Sequence, residues 1–153
     1  MALIEPADID IRLATAADTE NLFEWRNHPS IRAVSRTSEP IPREAHDRWI
    51  RATLSDPGRC LLIGSQGGAP AGVVRFDLET DRAEVSIYLV PERRGQGLGA
   101  PLLVAAEGWL RTGRPEIAVL EAEVLGDNRP SHRLFASCGY SRTGGHYRKR
   151  LPP

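Results

Sequence analysis

Apolar and polar residues alternate over residues 9–13, and a period of two predicts a first strand. Thr15 or Asp18 is placed to cap the helix that follows, which Leu22, Phe23 and Trp25 mark as short and amphipathic. That helix ends near Asn27-His28-Pro29, because a residue before proline is driven out of the helical region. A second break spans Pro40 to Pro42, and Pro42 with Arg43-Glu44 opens a helix carrying Ala45, Trp49, Ile50 and Leu54 on one face. Asp56-Pro57-Gly58 closes it. Residues 60–63 read as an apolar strand, Gln66-Gly67-Gly68-Ala69 as a turn, and residues 71–78 and 83–90 as two further strands joined by a turn over residues 77–82. The prediction is an antiparallel meander of three strands.

Pro91 ends the last of these, since a ladder donor is missing there. In Arg93-Arg94-Gly95-Gln96-Gly97-Leu98-Gly99, three glycines fall on alternate positions just before Leu102, Leu103, Ala106, Trp109 and Leu110, which keep a helical spacing. The glycines therefore lie at a helix N-terminus, where unpaired N–H groups and the positive end of the dipole attract phosphate. Arg94 at the lip adds a cation able to bind phosphate bidentately, and Arg93 is a second candidate. Two nucleotide motifs are excluded: no Lys-Ser/Thr follows the last glycine, and the spacing is G-x-G-x-G rather than G-x-G-x-x-G.

Thr112-Gly113-Arg114-Pro115 stops this helix, and residues 117–124 read as a buried strand beside residues 83–90. Asp127-Asn128-Arg129-Pro130 supplies a cap and a first-turn proline for a helix through Phe135, closed by Gly139. Residues 140–143 and 146–151, with Gly144-Gly145 between them, have hairpin composition.

The length of 153 residues suits one domain spanning residues 1–153, burying roughly 68–70% of the surface its unfolded chain exposes. Twenty Lys+Arg balance twenty Asp+Glu, so no global field argues for a nucleic acid or an anionic membrane as partner. Cys60 and Cys138 lie far apart with no ligand cluster around them, which argues against a zinc site or a disulfide scaffold and for a reducing compartment. The first thirteen residues are acidic where a signal peptide is basic, and no run of 18 apolar residues occurs, so the expectation is a cytoplasmic protein.

The turn from Arg94 to Gly99 resembles the R-x-x-G-x-G/A turn of the GNAT acyltransferase superfamily. The resemblance extends upstream through Ala83-Glu84-Val85-Ser86-Ile87-Tyr88-Leu89-Val90-Pro91-Glu92, and downstream to Asp127-Asn128, Ser131, Leu134-Phe135 and Gly139-Tyr140. It covers essentially the whole chain and is strongest from Glu84 to Tyr140. It implies an α/β (α+β) fold: a mixed, mostly antiparallel sheet of six to seven strands flanked by about four helices. It implies acetyl-CoA as co-substrate and no metal, with the pyrophosphate held by Arg94, Gly95, Gln96, Gly97, Leu98, Gly99 and Ala100. The pantetheine arm would pair with the backbone of Leu89 and Val90 in a gap between strands, with Asn128 and Phe135 also on the coenzyme. A backbone N–H near residues 88–90 would face the thioester oxygen.

Acetyl transfer to an amine requires the acceptor to lose a proton, and Glu84 on the central strand is the leading base; the alternative is a surface carboxylate paired with Arg75 or Arg82. His28 and His46 are weaker candidates. Phe135 stands where the family often has a tyrosine that protonates the leaving thiolate, which leaves Ser131, Tyr140, Tyr147 or unassisted departure. Cys138 reads as a core residue rather than a nucleophile. Trp25-Arg26-Asn27-His28-Pro29 resembles the W-R-N-x-P opening of the branch holding ribosomal-protein N-terminal acetyltransferases and the amino-sugar nucleotide acetyltransferases of the pseudaminic acid pathway. Trp25 would stack on a base or sugar face, or else sit in the core, while Arg26, Arg32 and Arg36 suit a diphosphate; Asn27 and His28 complete the acceptor segment. The expected activity is N-acetylation of a small-molecule primary amine, foremost a nucleotide-linked 4-amino sugar, by direct transfer in a ternary complex. The alternatives are acetylation of protein N-termini and a non-catalytic acyl-CoA sensor. Either a monomer or a homodimer is compatible.

Overall fold

The computed structural model describes residues 8–153, so the reading of the first seven residues as lacking a signal peptide lies outside the described residues. The alternating segments form one seven-stranded sheet: β1 (Ile9–Leu13), β2 (Arg59–Gln66), β3 (Ala69–Glu79), β4 (Arg82–Leu89), β5 (Val119–Glu123), β6 (Ser141–Thr143) and β7 (His146–Arg150). Their order across the sheet is β1-β2-β3-β4-β5-β7-β6. All neighbours run antiparallel except β4 and β5, the parallel pair that the intervening helix makes possible.

Five helices flank the sheet: α1 (Thr19–Asn27), the single turn α2 (Pro29–Arg32), α3 (Arg43–Ser55), α4 (Gly99–Gly113) and α5 (Arg129–Ser137). The extra one, α2, forms where a break was expected. Pro29 occupies its first turn and His28 Nδ1 accepts from the Ser30 N–H, so the same dipeptide that ends α1 starts a new turn. In the 3-10 turn over Ala16–Asp18 that leads into α1, Thr15 and Asp18 act together as a capping box rather than as alternatives.

Successive residues of β2 point to opposite faces, and both faces are covered. Leu62, Val74, Phe76, Leu102, Leu103 and Leu120 pack in the larger core under α4 and α5. Leu22, Ile50, Leu61, Ile63 and Val73, with Trp25, Trp49 and Tyr88 at the margin, form a smaller core under α1 and α3. The buried face of α3 is His46, Ile50 and Thr53, so it is rotated from the predicted stripe, and Leu54 stays exposed. That rotation carries His46 inward.

Two glycines let α4 approach the sheet. A Cβ on Gly72 would stand 2.5 Å from Leu102 Cδ2 and 2.6 Å from the Tyr88 carbonyl oxygen, and one on Gly64 would stand 2.3 Å from Leu102 Cδ1. Leu102 therefore seats in a notch in β2 and β3, which fixes the first turn of α4 over the end of β4. The pairing of β4 with β5 stops early: Arg82, Ala83 and Glu84 pair with Val119, Leu120 and Glu121, and beyond them the strands part. Among the described residues no helix is long and apolar enough to cross a membrane.

Candidate active site

β4 ends in a 3-10 turn over Pro91–Arg93, and Arg94 is extended before the glycines begin. Gly95 and Gly97 have φ of +78° and +73°, in the left-handed region that only glycine enters freely, and nothing lies within 4 Å of a Cβ built on either. No side chain caps α4 at Leu98, so its first-turn N–H groups stay available to an anion. Arg93 is not a second phosphate cation: it donates to Gln96 Oε1 at 3.2 Å and to Gln66 Oε1 at 2.6 Å, and so braces the turn. Arg94 keeps an exposed guanidinium, tied among the described residues only to the Ser30 carbonyl at 3.4 Å.

The parting of β4 and β5 opens a cleft of about 700 Å³. Arg94, Gly97, Leu98 and Gly99 line it, whereas Gly95 and Gln96 in the turn and Ala100 in α4 do not. The Val90 N–H donates to the Ala71 carbonyl at 2.9 Å. This corrects the expected backbone contact: in an antiparallel ladder alternate residues face alternate neighbours, so Val90 and Tyr88 face β3 while Leu89 and Ile87 turn their N–H and C=O groups into the gap. From α5, Asn128, Ser131 and Phe135 reach the cleft. Asn128 Oδ1 accepts from the Ser131 N–H at 3.3 Å as the helix cap, and the Ser131 hydroxyl makes no hydrogen bond among the described residues. Phe135 is buried between Tyr140 and Tyr147. An open glycine turn at an uncapped helix, continued by unpaired strand backbone, fits a pyrophosphate joined to an extended amide-bearing arm.

Neither tyrosine suggested as a proton donor reaches the cleft. Tyr140 donates to Glu107 at 2.6 Å under α4, and Tyr147 lies 2.7 Å from His132 Nδ1, whose other nitrogen is 2.9 Å from the Leu125 carbonyl. Burial pushes the Cys138 thiol up, away from a nucleophile's range, and Cys138 does not line the cleft.

The other wall lies on the α1/α3 face. Glu84, Ser86 and Tyr88 alternate along β4 onto it, and Arg75 on β3 pairs with Ser86. Glu84 is exposed and makes no ion pair among the described residues: Arg75 donates to Asp77 at 3.2 Å and Arg82 to Glu121 at 2.9 Å. The surface-pair alternative for Glu84 is therefore not what the side chains do. Arg26 and His46 also line the cleft, and Arg26 Nη1 and His46 Nδ1 are buried with no hydrogen-bond partner among the described residues. Desolvation lowers both groups, keeping His46 neutral near pH 7, and burial pushes the Tyr88 hydroxyl up so that it stays protonated.

Of the predicted acceptor residues, Arg26 and Arg36 line the cleft, Arg36 ion-paired with Glu123 at 2.9 Å, whereas Arg32 donates to the Asn27 and Ser38 carbonyls. Trp25 packs on the smaller core, and the Asn27 side chain clamps the backbone of Ile41 with bonds of 3.0 and 2.7 Å. His28 caps α2. The three are structural supports of the wall rather than part of it.

Residues 8–141 match the family model of the acetyltransferase (GNAT) domain. The chain belongs to the GNAT acetyltransferases. It is 27% identical over 122 residues to the acetyltransferase PseH of Campylobacter jejuni, spanning 77% of this chain and 73% of that protein. It is 31% identical over 144 residues to the putative phosphinothricin acetyltransferase YwnH of Bacillus subtilis, spanning 88% and 85%. The spermidine N-acetyltransferase of Vibrio cholerae, solved with CoA and spermine, shares the fold with a TM-score of 0.79 at 17% identity, covering 94% of this chain and 93% of that one. This GNAT protein is accordingly an acetyl-CoA dependent acyltransferase. Sequence reasoning missed Arg75 and Tyr88 as cleft side chains, although the period of two along β3 and β4 places them on the Glu84 face.

Proposed function

We propose that the whole chain works as one N-acetyltransferase domain acting on the primary amine of a small molecule, a nucleotide-linked 4-amino sugar first, by direct transfer in a ternary complex. The observation that carries this reading is Glu84, an unpaired carboxylate lining the same cleft as the glycine turn. Similarity to PseH supports the amino-sugar acceptor; the wider match to YwnH supports a compact amino acid as the second acceptor class. Free, buried cysteines agree with a cytoplasmic setting.

Bound acetyl-CoA supplies an activated thioester carbonyl. Arg94 and the first-turn N–H groups around Gly97, Leu98 and Gly99 hold the pyrophosphate, and Leu89 with Ile87 offers backbone to the arm beyond it. An N–H facing the gap is also the donor that would stabilise charge on the carbonyl oxygen. Glu84 takes the proton of the ammonium, directly or through one water, because only the neutral amine carries a lone pair. The Ser131 hydroxyl, which lines the cleft, returns a proton to the leaving sulfur in this reading, and a thiol of pKa near 8.5 needs little help.

The test is thiol release with a UDP-linked 4-amino sugar, phosphinothricin, N-terminal peptides and polyamines. Selective turnover of the sugar is expected, with Glu84→Gln lowering kcat about a hundredfold, within the range for removal of a general base. Turnover of peptides alone would replace this reading with N-terminal acetylation. Coenzyme binding without turnover of any acceptor would point to a sensor.

A further inference from the structure

Four buried side-chain atoms lack a hydrogen-bond partner among the described residues, and two of them, Arg26 Nη1 and His46 Nδ1, belong to residues lining the cleft. The other two, Asp47 Oδ1 and Asp77 Oδ1, still lie within 4 Å of an arginine nitrogen. Arg26 has no carboxylate partner among the described residues. A half-buried guanidinium with its Nη1 left in this way has a donor awaiting an acceptor, because burial removes the water that would otherwise satisfy that nitrogen. Arg75 lines the same cleft, its guanidinium 5.6 Å from the Trp49 ring centre, and Tyr88 lies close enough to both arginines to feel their charge. Two cations, Arg75 already paired with Asp77 at 3.2 Å, and a phenol that makes no hydrogen bond among the described residues thus share one wall, and no carboxylate of the described residues bonds Arg26 there.

We propose that Arg26, Arg75 and Tyr88 form an oxyanion subsite for the acceptor, so that the amine this enzyme acetylates carries a phosphate or carboxylate group. The inference rests on the acetyl-transfer reading above and adds the charge of the acceptor to it. Glu84 and Tyr88 are four residues apart on one face of β4, about 13 Å along the strand, and the Ser86–Arg75 level lies about 7 Å from Glu84. The anion is therefore held away from the Glu84 carboxylate, toward the end of β4 that faces the gap. His46, kept neutral by burial, adds no cation of its own to that wall.

The experiment is calorimetric titration of the protein, pre-saturated with CoA so that the glycine turn is filled, with UDP, inorganic phosphate and succinate. At least one of these anions should bind, and Arg26→Gln should weaken it about tenfold, the scale of one charge-assisted bond, with CoA affinity and Tm unchanged. Arg75→Gln should weaken the same anion, which keeps the test open if one variant folds poorly. Preference for UDP or phosphate over succinate identifies a phosphoryl acceptor, and the reverse a carboxylate. No anion binding in the CoA complex, or equal binding in both variants, overturns the subsite. Acetyl transfer fails separately, by absence of thiol release, and turnover of neutral amines with no anion bound would leave the transfer reading standing while the subsite falls.

Discussion

The two faces of the sheet treat their buried charges in opposite ways. Under α4, Glu107 is 5% exposed, and both its oxygens are used: Tyr140 donates to one at 2.6 Å and Lys149 to the other at 2.8 Å. Lys149 also donates to the Cys138 carbonyl at 2.8 Å, so the group ties α4, the end of α5 and β7 together. Under α1 and α3, Arg26 and His46 hold buried nitrogens that nothing in the described chain satisfies. A satisfied network holds a fold; an unsatisfied one is completed by something the fold binds. Removing the partner from the first should therefore cost stability, whereas removing the orphan from the second should cost function only.

The largest effect is expected at Lys149. Lys149→Met leaves the Glu107 carboxylate buried against Tyr140 alone, and urea unfolding should show a loss of about 2–3 kcal/mol, less than the 3–5 kcal/mol of a fully buried pair because Lys149 keeps 23% of its side chain in water. An unchanged midpoint would mean that the network is ornamental and that the contrast between the faces is false.

The contrast also explains what could be read from the sequence. The coenzyme half is built from contiguous backbone, so Arg94 to Gly99 and the strand before it announce both the helix N-terminus and its ligand. Even there the phase was not legible: whether Leu89 or Val90 faces the gap depends on which ladder bond Ala71 takes. The acceptor half is made of side chains from residues 26, 46, 75, 84 and 88, brought together only by the pairing of β3 with β4 and the rotation of α3. No local pattern records that meeting. The stripe on α3 read one way put Leu54 inside and left His46 out, because Leu outranks His on any apolar scale; packing against Phe23 and Trp49 decides otherwise. Likewise Trp25 was legible as an aromatic near the site, yet the smaller core claims it.

Helix α1 carries the contrast on a single element. At its start, Asp18 accepts two bonds of 2.8 Å from Arg12 and a third of 2.8 Å from the Thr15 N–H. The Arg12 hydrogen bonds, with the Thr15 N–H and the arginine's charge behind them, hold the Asp18 carboxyl below the usual aspartate value despite its burial. A carboxyl lowered by folding contributes stability that is present above the unfolded value, about 3.9, and is lost as the pH falls through the lower folded value. Asp18→Asn should cost about 1–2 kcal/mol at pH 7 and flatten the decline of Tm below pH 4. An equal acid decline in the variant would assign it to other carboxylates.

Arg26, near the other end of the same helix, should respond in the opposite sense. Arg26→Met keeps an apolar stem of similar length against the smaller core and removes a half-buried guanidinium that has no hydrogen bond to lose among the described residues. Replacing an unpaired, half-buried charge with a hydrophobe is near neutral or stabilising, so thermal unfolding at pH 7 should move by no more than about 1 kcal/mol, and upward if it moves. A clear loss would mean that Arg26 supports the wall as Asp18 supports the cap, and the wall would then be finished without an acceptor. An unchanged or raised Tm combined with a higher KM for the acceptor would separate the two roles on one helix. The stability is then held at the Asp18 end, and the Arg26 end is left incomplete for the molecule that fills it.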